Sequence, residues 1–189
     1  MMAMGLPQKK RATYKDLLAV PEHLVAEIID GDLVTSPRPA SRHANASTGL
    51  LGALDGPFRR GRGGPGGWII LFEPELHLHG HVIVPDLAGW RRERMPKLLD
   101  TAAFELAPDW ACEILSRGTA ALDRARKMPI YASERVGHIW LIDPIDRTLE
   151  TYGLRDDGWM LLRTFENDDK ARAEPFEAVE FDLGELWAD

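Results

Sequence analysis

A mixed β-sheet flanked by helices, in an α/β or α+β sandwich, is the architecture the sequence specifies. Helix-like and strand-like segments run in the order helix, several strands, helix, strand, strand. Asp30-Gly31 sits between two apolar runs, the signature of a tight hairpin. Short apolar runs of strand length recur around Val82, Trp110 and Ile139, each too short for a buried helix.

The 189 residues suffice for one domain with a sizeable core, read here as residues 13–189 after a flexible N-terminus over 1–12. Thr13 opens a short helix over 14–19, with Asp16 three places on as an imperfect capping box, and Pro21 ends it. Residues 25–34 form the hairpin, because Gly31 accepts positive φ; Pro37 and Pro39 close its second strand. A helix over 41–58 follows, then a glycine-rich loop over 59–67. Strands are expected over 68–72, 75–79 and 81–90, and residues 91–108 make a polar connection with a helical turn. Residues 109–115 read as a buried strand and 119–133 as a helix, in which Pro129 removes a hydrogen bond and bends the axis. Strands over 138–143, 148–154 and 159–165 follow, and the tail over 178–187 holds a short strand and a helical turn.

The bulk numbers exclude several function classes. A net charge of -7 argues against a dedicated nucleic-acid scaffold, whose footprint is basic, but not against an enzyme that meets a polyanion locally. Acids that hold metal ions lower the net charge of the chain, and the ions restore positive charge at the site. No apolar stretch is long enough to span a bilayer, and the basic start of the chain is not followed by the apolar run of a signal peptide. The single cysteine, Cys112, excludes an internal disulfide framework and fits a reducing compartment, so the expected location is the cytoplasm.

The chemistry concentrates in two apolar runs that carry acids. Val82-Ile83-Val84-Pro85 leads directly into Asp86, and Trp110-Ala111-Cys112 leads into Glu113, with Ile114 and Leu115 behind it. A charge inside an apolar strand is costly unless it is paired or bound to a metal. Two such acids on neighbouring strands repel each other, and a divalent cation between them removes the repulsion; hard oxygen donors favour Mg²⁺ or Mn²⁺. The next helix carries Asp123 and Lys127 at i, i+4, on one face, from which the lysine can lean toward the acids. Simpler readings stay open: a turn at Pro85-Asp86, a structural ion pair at Glu113, a surface salt bridge for Asp123 with Lys127, and an ordinary strand position for Glu27.

Other features carry less. His77, His79 and His81 would share a face on one continuous strand and suit Zn²⁺, but Gly80 places a turn among them and favours a surface hairpin. His43, on a helix, reads as packing or surface. Cys112 points away from its neighbour Glu113 and reads as core. Arg59, Arg60 and Arg62 in the glycine-rich loop, and Arg91, Arg92 and Arg94 after Asp86, are candidate phosphate contacts that would position DNA without reading its sequence; solvated loops are the alternative. No Gly-Lys-Ser/Thr follows the glycine loop, so it is no NTPase phosphate loop.

Taken in order, these segments resemble the Uma2-like family of restriction-endonuclease-like proteins, within the PD-(D/E)XK superfamily. The resemblance rests on residues 27–33 with Ser36, Pro37 and His43; on Val84-Pro85-Asp86-Leu87; on residues 112–116; on Asp123, Lys127 and Tyr131; and on residues 136–144. It implies the PD-(D/E)XK core and Mg²⁺- or Mn²⁺-dependent hydrolysis of DNA phosphodiesters. Asp86 then corresponds to the motif aspartate and Glu113 to the second acid. The Ile114 carbonyl is implied as a further metal ligand, and Glu27 as the N-terminal acid that supports the site. The motif's lysine position holds Leu115, a departure that makes Lys127, from the following helix, the candidate lysine. The family also implies a homodimer, one subunit per strand. The alternative is a non-catalytic binding or assembly protein with the same fold, which Leu115 and the acidic charge favour.

Overall fold

A computed structural model describes residues 10–156 and 158–187. Most of the expected N-terminal segment thus lies outside the described residues; at Ala12 the backbone is already tied down, its N–H donating to the Gly31 carbonyl at 2.8 Å.

Thr13 caps the short helix α1, Tyr14–Leu18, and its capping box with Asp16 is complete. Strands β1, Leu24–Ile29, and β2, Asp32–Pro37, pair antiparallel with Ile29 opposite Asp32. Asp30 (φ 54°) and Gly31 (φ 81°) are both left-handed, as the two-residue turn requires. Helix α2, Ser41–Leu54, continues into a π turn, Asp55–Arg59, that delivers Phe58 to the core. Then come β3 (Trp68–Phe72), β4 (Leu76–Leu78), β5 (His81–Ile83), β6 (Leu87–Arg91) and β7 (Trp110–Ile114). The crossover helix is built from α3 (Ala120–Leu122), a π turn (Asp123–Lys127) and α4 (Met128–Ser133). Strands β8 (His138–Asp143), β9 (Thr148–Arg155) and β10 (Gly158–Glu166) follow, then the short pair β11 (Lys170–Ala171) and β12 (Phe181–Asp182) and a 3-10 turn, Leu183–Leu186.

Among the described residues the strands form a four-stranded sheet in the order β2-β1-β5-β4, a six-stranded one in the order β10-β9-β8-β7-β6-β3, and the two-stranded pair β11-β12. Only the β7–β8 pair of the larger sheet is parallel, and the crossover helix makes that connection. One face of the larger sheet packs on α2 and on the C-terminal residues Phe176, Leu183 and Leu186; the other packs on the crossover helix and the smaller sheet. Strand β7 lies between the two cores and all its residues are buried. Trp110, Cys112 and Ile114 face α2, while Ala111 faces the crossover helix with Leu115 beyond it. Gly89 is small because two indoles close on it: a Cβ there would lie 3.2 Å from atoms of both Trp68 and Trp110.

Two expectations need correction. The single strand expected over 81–90 is two strands in different sheets, interrupted at Val84-Pro85-Asp86. Pro85 has no N–H for a ladder, and the Val84 N–H goes instead to Glu27 Oε1 at 2.8 Å. The helix expected over 119–133 is present but wider in its middle. The Met128 N–H reaches back five residues to the Asp123 carbonyl, and Pro129, with no N–H to donate, follows immediately. Among the described residues no helix is long and apolar enough to cross a membrane.

Candidate active site

The interruption at Pro85 is where the chain leaves one sheet for the other, and Asp86 stands at that corner. Its Oδ2 accepts the Ile114 N–H at 2.6 Å, so the end of β7 is held against the start of β6 through a side chain. Its Oδ1 lies 3.0 Å from His43 Nε2, which α2 brings in from the other face. Burial works against a charged His43, but the Asp86 hydrogen bond and the charges of Asp86, Glu73 and Asp123 outweigh it and raise the pKa above the ordinary imidazole value.

Glu113 is on the opposite face of β7 from Cys112 and is only 2% exposed. The Tyr131 hydroxyl donates to its Oε1 at 2.5 Å, and Lys127 Nζ stands 3.3 Å from its Oε2. Lys127 is also 2.9 Å from Glu27 Oε1 and 3.5 Å from Asp123 Oδ1, and it donates to the Val84 carbonyl at 3.4 Å. One ammonium therefore serves three buried carboxyl groups. Burial pushes the Glu113 carboxyl well above its usual range, with Lys127 pulling down and Asp123, Asp86 and Glu27 pushing up. Asp123 is raised by burial too, against Lys127 and a hydrogen bond from Thr119. Burial alone would lower the Lys127 pKa, but Glu113, Glu27 and Asp123 overcome it and keep the ammonium charged.

These side chains open on one cleft of about 330 Å³. Glu27, His43, Glu73, Asp86, Glu113 and Lys127 line it, with the Ile114 backbone. The sequence-derived residues Asp86, Glu113, Ile114, Glu27 and Lys127 are thus brought together from three elements, β1, β7 and the crossover helix, and the β5–β6 corner. The arginines expected to meet phosphate are not among the lining. Arg59 and Arg60 are bonded to Asp55 beyond the C-terminal end of α2, and Arg62 follows them in the glycine loop. Arg91 stacks on Trp68 at the far end of β6, about 16 Å of strand away from Asp86. Arg94 pairs with Asp109, and Arg92 donates to the Pro96 carbonyl.

The histidine run turns at His79 and Gly80, both with positive φ. Each histidine has its own partner: Glu75 for His77, Glu134 for His79 and the Asp30 N–H for His81. Among the described residues no three His, Cys, Asp or Glu groups stand ready to hold a metal ion, here or in the acid cleft.

Does the acid cleft nevertheless suit a divalent cation? Its acids offer oxygen donors, and four carboxyl groups, Glu27, Asp86, Glu113 and Asp123, share the cleft with one ammonium, Lys127. Burial first, and then the neighbouring acids, raise Glu113 and Asp123, and an ion inverts this local logic. The donor chemistry fits Mg²⁺ or Mn²⁺, provided Asp86 and Glu113 turn an oxygen from their present partners.

Two residues that the family resemblance included without a role, His43 and Tyr131, gain one from the geometry. His43 had no local signal, since Asp86 is far away in the chain. Tyr131 had one: it lies at i+4 from Lys127, the spacing that puts both on one helix face. Replacing Tyr131 by Phe keeps the ring and removes the donor to a buried carboxyl. The expected loss is about 1.5–3 kcal/mol in a denaturant titration, and a change under about 0.5 kcal/mol would show that the bond contributes nothing.

An α+β sandwich whose sheets meet at a Pro-Asp corner, beside a buried glutamate and a lysine from the crossover helix, has the restriction-endonuclease-like fold. The chain belongs to the family described as "Uma2: Putative restriction endonuclease", which it matches over residues 11–184. Its fold is similar to that of a protein from Anabaena variabilis described as "a putative nuclease belonging to DUF820". The TM-score is 0.74 at 21% identity, covering 93% of this chain and 97% of that one. No curated protein matches the chain.

Proposed function

We propose that the chain is a metal-dependent endonuclease that hydrolyses DNA phosphodiester bonds, working in the cytoplasm as a homodimer with one subunit per strand. The observation that supports it most is the buried excess of carboxyl groups around Lys127, in a cleft open to solvent, on a fold shared with a nuclease family. Asp86, Glu113 and the Ile114 carbonyl are the groups that would hold Mg²⁺ or Mn²⁺. The Ile114 N–H faces Asp86, and in an extended strand the carbonyl of the same residue projects to the same edge. When bound, the ion supplies positive charge to the scissile phosphate and lowers the pKa of a bound water. Glu27 ties the β5–β6 corner to β1 through the Val84 N–H and holds Lys127 in place. Lys127 orients the attacking water or offsets charge that builds on the phosphate. Tyr131 fixes the plane of the Glu113 carboxylate.

A second reading, a binding protein without catalysis, draws on one observation: Asp86 is already partnered by the Ile114 N–H and His43, and Glu113 by Tyr131 and Lys127. Nicking of supercoiled plasmid in Mg²⁺ and then Mn²⁺ separates the two. The native protein is expected to nick, and Asp86→Asn and Glu113→Gln are each expected to slow it more than about 100-fold, beyond the cost of removing an outer partner of a metal ligand. Cleavage that survives either substitution assigns the activity elsewhere. No cleavage in either metal favours the binding protein.

A further inference from the structure

The acid cleft is a poor place for a polyanion to approach. Glu73 lines it beside Asp86, and burial and the Asp86 charge raise its carboxyl against Arg38 and His43. The chain as a whole carries -7. Arg38 lines the cleft, and two further exposed arginines, Arg42 and Arg117, are chain neighbours of residues that line it. Arg38 follows the end of β2 and lines the cleft; its side chain is 57% exposed, donating to the Glu22 carbonyl at 3.0 Å and lying 3.9 Å from Glu73. Arg42 is exposed in the first turn of α2, next to the His43 that reaches Asp86. Arg117 is exposed in the turn between β7 and α3, with cleft-lining Ser116 and Gly118 on either side.

Several of the other arginines are already engaged. Arg59, Arg60, Arg94 and Arg124 each hold a carboxylate within 3.0 Å, and Arg91 lies on an indole. Among the described residues Arg42 and Arg117 have no ion-pair partner, and Arg38 has only its long contact to Glu73. A guanidinium fork left unpaired in an acid-rich chain is matched by a phosphate, which it binds with two parallel donors.

We propose that Arg38, Arg42 and Arg117 form the surface that receives the phosphodiester backbone of duplex DNA and sets it over Asp86 and Glu113. This rests on the nuclease reading for what happens next, but the binding stands on its own. The phosphates are held from the stretch that joins β2 to α2 and from the turn after β7. The contacts carry no sequence information; they fix the register of the backbone over the acids.

The test is fluorescence anisotropy of a short labelled DNA duplex in EDTA, with salt varied between about 50 and 200 mM. Arg42→Gln and Arg117→Gln are each expected to reduce the slope of log affinity against log salt by about 0.9, and the double variant by about twice that. Arg59→Gln with Arg60→Gln, and Arg91→Gln with Arg94→Gln, are expected to leave the slope unchanged. All these arginines are at the surface, so unchanged circular dichroism melting curves guard against misfolding. A native slope retained in the Arg42 and Arg117 variants, or lost in the control pairs, overturns the proposal, as does a native protein that binds no duplex at any salt. Binding that follows the proposal in a protein that nicks nothing would overturn the nuclease reading alone.

Discussion

Replacing Lys127 by methionine is expected to destabilise the protein by about 3–5 kcal/mol at neutral pH, the cost of breaking a buried pair from one side. In a domain of this size that is a fall in melting temperature of roughly 6–20 °C. The magnitude follows from burial. Lys127, Glu27, Glu113 and Asp123 are all nearly inaccessible to water, and the lysine is the cation shared by the three acids. The pH dependence gives the sharper test. Burial already raises Glu113 and Asp123, and Lys127 is what pulls them down. Without it both rise further. A carboxyl whose folded pKa lies above its unfolded value favours folding at pH below the unfolded value, and that contribution disappears as pH rises through the folded one. The deficit of the variant is therefore smallest at about pH 4, near the ordinary carboxyl range, and grows toward neutrality. Thermal melts of both proteins across that range would measure it. A deficit independent of pH would mean that the variant fails through lost packing instead of unpaired charge.

Phe176→Ala is expected to cost as much by an unrelated route. Phe176 is fully buried and its ring lies 4.8–5.5 Å from those of Phe58, Trp68, Trp110 and Trp140. It joins the C-terminal segment to α2 and to three strands of the larger sheet. Truncating a phenylalanine at such a site removes about 3–5 kcal/mol, part lost transfer energy and part the cavity left between indoles that cannot all collapse inward. Urea denaturation followed by tryptophan fluorescence should show a lower midpoint with an unchanged slope, since the native fold is retained. A loss under about 1 kcal/mol would mean that the C-terminal segment is not part of the cooperative core.

Both predictions start from patterns that the sequence displays unequally. The apolar runs of β7 and β8 were legible because a strand buried on both faces needs no alternation, and an acid inside such a run stands out against its neighbours. Glu113 was found that way, and Asp86 through the proline before it. The Asp30-Gly31 turn was legible because few residue pairs adopt two successive left-handed conformations. Phe176 left no such trace. It lies outside any periodic segment, and its place among the indoles depends on how the tail folds back across the sheet.

The sequence by itself determined the order of elements, the hairpin, the buried strand with its glutamate, the Asp86 position and the Lys127 spacing. Each of these is written in local chemistry: the backbone freedom of glycine, the missing N–H of proline, the cost of a charge among apolar side chains. The tertiary structure alone decided that residues 81–91 serve two sheets, that Lys127 is shared among Glu27, Glu113 and Asp123, and that His43 reaches Asp86. It also decided that Arg38, and none of the arginines expected from the sequence, lines the cleft. Arg91 and Arg92 are close to Asp86 in the chain, but an extended strand rises about 3.3 Å per residue and carries them away from it. The Arg38–Arg42 segment and the Ser116–Gly118 turn are distant in sequence and are brought to one cleft by the packing of a helix and two sheets, for which no local residue pattern codes.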